Sequence, residues 1–379
     1  MLNDAPKLSS PTHSSVDTVF LGTSPLVLCH ALFACTQGRS VAILDRNQCV
    51  GGAWHAGNAL GFTNVEAAVH LIENRPEVYS HLERVGVPIS DADVDCWGQY
   101  GHMRIPLAIT RAVAFGGVLA KSLARGNFSK SRTNATSLAR SVARIRSPFR
   151  YPVGGAATLL ERLLSELAVF GVSPQLGVHV HRADITRDRR GGKLQTSIGD
   201  VHFRRVGIAS RAHCPLTIDG EQLHFATRRT ATCCLALHVD RCDEVRFSYV
   251  ELLGRGPIRR VRNLSSLVQP TPAQGARLLS VQLRSPPSDG GADSNSDRDF
   301  DGERVVEALI AQRLLPPLTR LLGQHRGVYT HDTIADGELK RLAASLGDAM
   351  HPMHTTDFGE ELTALLRRTE SRCATPAKG

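Results

Sequence analysis

The chain has 379 residues, of which 42% are hydrophobic and 21% charged, and its 45 Lys and Arg against 36 Asp and Glu leave a formal balance of +9. These values exclude a chain disordered throughout and a fibrous repeat, and the length suits about two to three domains. No run of about 18 uncharged apolar residues occurs, which argues against a membrane span.

Residues 1–16 are polar, with Pro6, Pro11 and several serines, and read as a disordered arm rather than a secretory leader. Nine scattered cysteines with no C-x-x-C pair argue against a disulfide framework and against a zinc site, and fit a reducing, cytoplasmic setting.

Asp17–Gly22 is a short apolar strand ending in glycine. Pro25 suits the first turn of a helix, Leu26–Thr36 has helical apolar spacing, and Gly38 can close it. Val41–Asp45 is a second buried strand that ends in an acid. Strand, tight turn, helix, strand and acid make the opening unit of a dinucleotide-binding fold. Gly22 allows the sharp turn, the N–H groups at the helix start receive a pyrophosphate, and Asp45, 23 residues after Gly22, can accept hydrogen bonds from ribose hydroxyls. The glycine fingerprint is eroded, because Gly22-Thr23-Ser24-Pro25-Leu26-Val27 keeps only the first glycine. Ser24 still permits close backbone approach and can bond a phosphate, whereas Val27 should push the helix from the strand.

Gly51-Gly52-Ala53-Trp54 follows five residues after Asp45. Leu60–His70 then brings Asn64, Glu66 and His70, the last two sharing a face if the piece is helical. From Cys96 to Leu160 there is no Asp or Glu but ten basic residues, from Arg104 to Arg150. This stretch reads either as a solvated face or as a patch for an anionic substrate, an acidic carrier protein or a membrane surface. The part from Leu107 to Arg125 could lie on a bilayer, although Gly116–Gly117 weakens a single helix there. Few aromatics and no binding motif argue against nucleic acid.

Tyr151-Pro-Val-Gly-Gly155 precedes an apolar-periodic helix over Ala156–Phe170, followed by Leu176, Val180, Ile185 and a strand over Val201–Ser210. Thr230–Val239, with the core pair Cys233-Cys234, and Leu278–Leu283 read as strands. Ser285–Glu303 is a Ser-, Asp- and Gly-rich surface loop before a helix from about Arg304. Leu346-Gly347-Asp348 is a turn, and Thr355–Arg368 a final helix. Tyr329, Asp332, His351 and His354 are further polar candidates near that end.

The acid at the end of the second strand followed by Gly51-Gly52, with the P-x-G-G, helix, G-x-x-x-x-L-x-x-x-V-x-x-I run, resembles the FAD-binding amine oxidase and protoporphyrinogen oxidase superfamily. That superfamily also contains UDP-galactopyranose mutase and the Rab GDP-dissociation inhibitors. The resemblance covers about a third of the chain. It implies an α/β fold: a discontinuous Rossmann-like FAD-binding domain (residues 17–75, 148–212 and 326–379) with an inserted α+β substrate domain (76–147 and 213–325). It implies FAD as cofactor, with Gly22, Ser24, Asp45, Arg46, Gly51, Gly52 and Trp54 on the dinucleotide side. Val180 would meet the adenine through its backbone. Asp348, in the Gly-Asp turn, would hold the ribityl chain before a helix whose N-terminus faces the flavin. His70 would lie against the isoalloxazine ring as the catalytic candidate. Ala53 replaces the usual arginine after the glycine pair. There is no second G-x-G-x-x-G, so no separate nicotinamide domain is expected. The implied activity is an FAD-dependent oxidoreductase acting on a C–N or C–C bond of a small, anionic substrate. A flavin-dependent nucleotide-sugar isomerase and a non-catalytic binding protein that keeps the fold without flavin stay open at this point.

Overall fold

The computed structural model describes residues 14–66, 68–72, 75–90, 95–126, 135, 138–139, 142, 149–242, 245, 247–254, 256–284, 301–353 and 358–373. In chain order the elements are β1 (Ser14–Leu21), α1 (Pro25–Thr36), β2 (Val41–Asp45), β3 (Ala56–Ala59), β4 (Phe62–Glu66), α2 (Pro76–Arg84), β5 (Cys96–Tyr100), β6 (Met103–Pro106), α3 (Leu107–Ala124) and α4 (Gly155–Val169). Then come β7 (Gln175–Leu176), β8 (Val180–Ile185), β9 (Gly192–Thr196), β10 (Gly199–Ala209), β11 (Leu216–Ile218), β12 (Glu221–Leu223), β13 (Thr227–Asp240), β14 (Tyr249–Leu252), β15 (Ile258–Asn263) and β16 (Arg277–Leu283). The chain closes with α5 (Gly302–Ala311), β17 (Arg320–Ile334), α6 (Asp336–Leu346), β18 (Met350–Met353) and α7 (Phe358–Cys373).

Two compact units share these elements: residues 1–52, 160–230 and 331–379 form one, and residues 53–159 and 231–330 the other.

The first unit is built on a nine-stranded sheet in the order β12-β11-β8-β9-β10-β1-β2-β7, with β18 pairing β10. β1 lies parallel to both β2 and β10. The connection from β1 to β2 is α1, whose residues are buried apart from Phe33 and Thr36. A helix apolar on every side, such as Leu26–Cys35, can only be satisfied inside a core. The core on this sheet includes Val19, Leu44, Val206, Ile208, Leu216, Leu339 and Leu346. The expected arm over residues 1–16 is corrected at its end. Ser14, Ser15 and Val16 belong to β1, because β10 is long enough to pair with them through Val201, His202 and Phe203.

The second unit carries most of a seven-stranded sheet in the order β17-β13-β16-β15-β14-β5-β6, and a β3-β4 hairpin. Its core includes Leu235, Val250, Val261, Val281 and Leu309. Cys233 and Cys234 are buried in β13, as an apolar strand run suggests. The glycine pair does not break α3, which runs unbroken from Leu107 to Ala124. Each glycine costs about 1 kcal/mol against alanine. The flanking Ala and Leu residues and the buried first turns at Leu107, Ala108 and Ala112 offset that. The expected loop over Ser285–Glu303 lies outside the described residues up to residue 300, and its end opens α5, where the Asp301 side chain accepts from the Glu303 N–H.

Gly207 in β10 faces the ring of Phe20 in β1, and a methyl group there would overlap the ring. Gly207→Ala should lower stability by about 1–3 kcal/mol through overpacking, read as the urea midpoint. An unchanged midpoint would mean that β1 and β10 are not held in this register.

Candidate functional site

In the first unit, the turn after β1 and the end of β2 meet at a set of short polar groups. Gly22 adopts φ 89°, and its N–H donates to the Leu44 carbonyl at 2.8 Å. A Cβ there would stand 3.0 Å from the Cβ of Ala212. Ser24 caps α1 with extended backbone, and its side chain makes no capping bond. Pro25 takes the first helical position, where its missing N–H is no loss. Val27, in the place of the fingerprint's third glycine, is buried.

Asp45 is only 4% exposed. The Thr23 hydroxyl donates to its Oδ2 at 2.5 Å and accepts the Gly51 N–H at 3.0 Å. Asn47 donates to Oδ1 through its backbone N–H (2.9 Å) and its Nδ2 (2.8 Å). Gly51 (φ 101°) and Gly52 (φ 56°) are both left-handed, and a Cβ on Gly52 would meet nothing within 4 Å. The same turn is bound to the start of β8. The Val178 N–H donates to the Asp45 carbonyl and the Gly177 N–H to that of Asn47, each at 2.9 Å. Val180 is half-buried at the first position of β8, and Arg46 is exposed. Three protein donors thus fill most of the roughly four acceptor positions of the Asp45 carboxylate and leave about one open. The Thr23 side chain is placed within reach by the left-handed turn at Gly22.

In the second unit, Glu66 ends strand β4, so it does not share a helix face with His70. It is buried at the centre of a different cluster. Its carboxylate accepts from the Ala156 N–H at 3.0 Å, from the Tyr151 hydroxyl at 3.3 Å and from Arg262 Nη1 at 3.1 Å. The Arg262 guanidinium lies 3.6 Å over the Tyr151 ring. Burial pushes the Tyr151 phenol well above its usual range, the neighbouring Arg262 charge opposing and Glu66 adding, so it stays a hydroxyl donor. Burial alone would loosen the Arg262 proton, but the Glu66 carboxylate, Tyr151 and Cys96 together outweigh this and hold it charged. Gly155 has φ 74°, and a Cβ there would stand 2.6 Å from Glu66 Oε1. The glycine of the P-x-G-G run thus lets a carboxylate reach the start of α4.

Arg262 Nη1 also donates to the His70 carbonyl at 2.8 Å. The His70 ring is stacked on Trp54, with centroids 4.1 Å apart and planes within 6°. Its Nε2 stands 2.6 Å from the Ala53 carbonyl, which requires the proton on Nε2. The structure therefore joins His70, Trp54 and Glu66 through Arg262. Asn64 is a left-handed, half-buried residue of β4.

At the chain's end, Gly347–Ala349 form a tight turn before β18. The Asp348 side chain is 92% exposed, 3.5 Å from Arg205. His351, on β18, meets the edge of Phe20, and its Nε2 lies 2.8 Å from His30 Nδ1. His30 Nε2 in turn lies 3.6 Å from Glu361 Oε1 on α7, with both side chains buried. Asp332 accepts from His213 through its carbonyl at 3.1 Å, and Tyr329 is also on β17. His354 lies outside the described residues. Sequence reasoning passed over Thr23, Tyr151, Arg262 and His30. One signal pointed to His30, a histidine inside the apolar α1, whereas Arg262 is one of three arginines in β15 and nothing local marks it.

No protein-family model matches the chain, and no curated protein matches it. Solved structures do. A putrescine oxidase double mutant superposes with a TM-score of 0.61 at 11% identity, covering 96% of this chain and 100% of that one. Reduced UDP-galactopyranose mutase superposes with a TM-score of 0.61 at 13% identity, covering 91% and 90%. Cyclohexylamine oxidase from Brevibacterium oxydans IH-35A superposes with a TM-score of 0.60 at 12% identity, covering 94% and 99%. The chain shares its fold with these solved structures. The matched length is nearly the whole chain, while the identity is low enough that the fold alone is shared.

The buried ion pair generates a double-mutant test. Arg262→Met should lower stability by about 3–5 kcal/mol by leaving Glu66 buried without its cation. Glu66→Gln added to Arg262→Met should recover part of that loss, read by urea unfolding. Additive losses in the double variant would mean the pair is not coupled.

Proposed function

We propose that the protein is an FAD-dependent oxidoreductase of amine oxidase-like type, acting on a C–N or C–C bond of a small, anionic substrate. The observation that carries this reading is the polar cluster at the ends of β1 and β2, where Thr23 ties Asp45 to Gly51 beside the open end of α1. The near full-length likeness to amine oxidases supports it.

The residues present fit a dinucleotide. Gly22 and Gly52 are left-handed, with space at Gly52 for a ligand's phosphate to approach the backbone. The N-terminus of α1 offers N–H groups and a positive end to a pyrophosphate, and the Ser24 hydroxyl is not engaged in capping. Asp45 keeps about one acceptor position for a ribose hydroxyl. On this reading the first unit binds FAD and the second shapes the substrate site.

When bound, FAD supplies a two-electron acceptor for hydride. The chain's own groups do the rest. Gly22, Ser24, Gly51 and Gly52 would hold phosphate, Asp45 would accept from a ribose hydroxyl, and the Val180 backbone would meet the adenine. Trp54 and His70 present a flat aromatic pair, and Arg262 fixes the His70 backbone from behind. His70, with its proton on Nε2 held by the Ala53 carbonyl, is the candidate catalytic group.

FAD titration, followed by flavin fluorescence, tests this. Asp45→Ala and Thr23→Val should each weaken binding about tenfold or more, equivalent to about 1.4 kcal/mol, because one removes the ribose acceptor and the other frees Gly51 from it. Wild-type affinity in both variants would mean that FAD, if bound, is held elsewhere.

A further inference from the structure

We propose that the outer half of α3 inserts into the surface of a lipid bilayer bearing anionic headgroups. This does not rest on the flavin reading, since every observation lies in the second unit and none involves the cradle.

The first turns of α3 are fixed in protein. Leu107 and Ala108 join Val69, Cys96, Phe149 and Tyr249 in one core cluster. Thr110 sits so close to β5 that Gly98 has no room for a side chain. Beyond Ala112 the helix changes character. Val113 is 70% exposed, Val118 49% and Leu123 52%. Ala114, Gly117, Ala120 and Ala124 are exposed as well, and a Cβ on Gly116 or Gly117 would meet nothing within 4 Å. The glycines are therefore not there to admit a neighbouring backbone.

The geometry sets apolar and basic side chains apart. At about 100° per residue, Val113, Ala120 and Leu123 fall within about 80° of one another, while Lys121 and Arg125 fall together toward the opposite side, beside Val118. An apolar face backed by basic residues is the pattern of a helix that lies in the plane of a bilayer surface.

Charge fixes the kind of lipid. The exposed half carries Lys121, and Arg125 follows it, both exposed and at the helix's end, where long basic side chains reach up to headgroups. No acid occurs between Cys96 and Leu160 to oppose them. Length fixes the depth. α3 is long and apolar enough to cross a membrane by length and composition. With its first turns anchored through the buried Leu107, Ala108, Thr110 and Ala112, however, about 12 residues remain, or about 18 Å, well short of the roughly 30 Å hydrocarbon layer. The helix can therefore enter the interface but not span it.

Sedimentation of the full chain with vesicles tests the proposal. One set is phosphatidylcholine alone, and the other is phosphatidylcholine mixed with phosphatidylglycerol. The expected result is co-sedimentation with the anionic vesicles, at least about tenfold stronger than with the neutral ones. The pair Val113→Asp and Val118→Asp should abolish it, and Lys121→Glu with Arg125→Glu should reduce it to the neutral-vesicle level. Both pairs change exposed residues, so circular dichroism and the melting temperature should stay at wild-type values. Three results would overturn the proposal. Wild-type protein left in the supernatant with both vesicle types is one. Binding untouched by the valine substitutions and fully released by salt is another, since it would mark a purely electrostatic surface suited to an acidic protein. A melting temperature lowered by the valine substitutions, without vesicle binding, is the third, since it would mean that the chain itself covers this face.

Discussion

The cradle depends on one hydroxyl. Thr23 donates to Asp45 and accepts from Gly51, so a single oxygen joins the turn after β1, the end of β2 and the glycine pair. All three groups are buried, and a buried donor or acceptor left unpaired costs about 1–3 kcal/mol. Losing the hydroxyl would remove the partner of the Gly51 N–H, while Asp45 would keep its two bonds from Asn47. The arrangement survives the erosion of the glycine fingerprint because it replaces backbone flexibility with side-chain bonding. The left-handed Gly22 makes the turn, and Thr23 then locks it.

A second buried polar group plays the same part in the other unit. Glu66, Tyr151 and Arg262 satisfy one another, and Arg262 passes the constraint on to His70. The pair is costly to desolvate, and its value is positional rather than a source of net stability. It explains the local chemistry of the P-x-G-G run: Gly155 is needed because a carboxylate, not a solvent molecule, sits against the start of α4. His30, bonded to His351 and set against Glu361, ties α1 to β18 and α7 by similar means.

Sequence patterning reached the elements whose signals are local. Val41–Asp45 reads as a strand because an apolar run ends abruptly in an acid, and the structure gives β2 those bounds. The helices after Ser24 and after Gly154 were legible from a proline at the start of one and apolar periodicity in the other. The site was legible only in part, because its partners are distant in sequence. Arg262 meets Glu66 across 196 residues, and no spacing rule reports such a contact. Asp45 was recognisable as an acid at a strand end, but its occupation by Thr23 follows from side-chain geometry alone. The helical spacing of Glu66 and His70 misled for the opposite reason. A four-residue interval has meaning only inside a helix, and here a hairpin strand ends at Glu66.

The most direct test of the account is the visible spectrum of the purified chain, with any released ligand identified by mass. The account predicts a flavin spectrum and the mass of FAD, either as purified or after incubation with FAD. A colourless protein that takes up no FAD would contradict it, and the Thr23–Asp45–Gly51 cluster would then be a structural knot in a fold that has lost its cofactor.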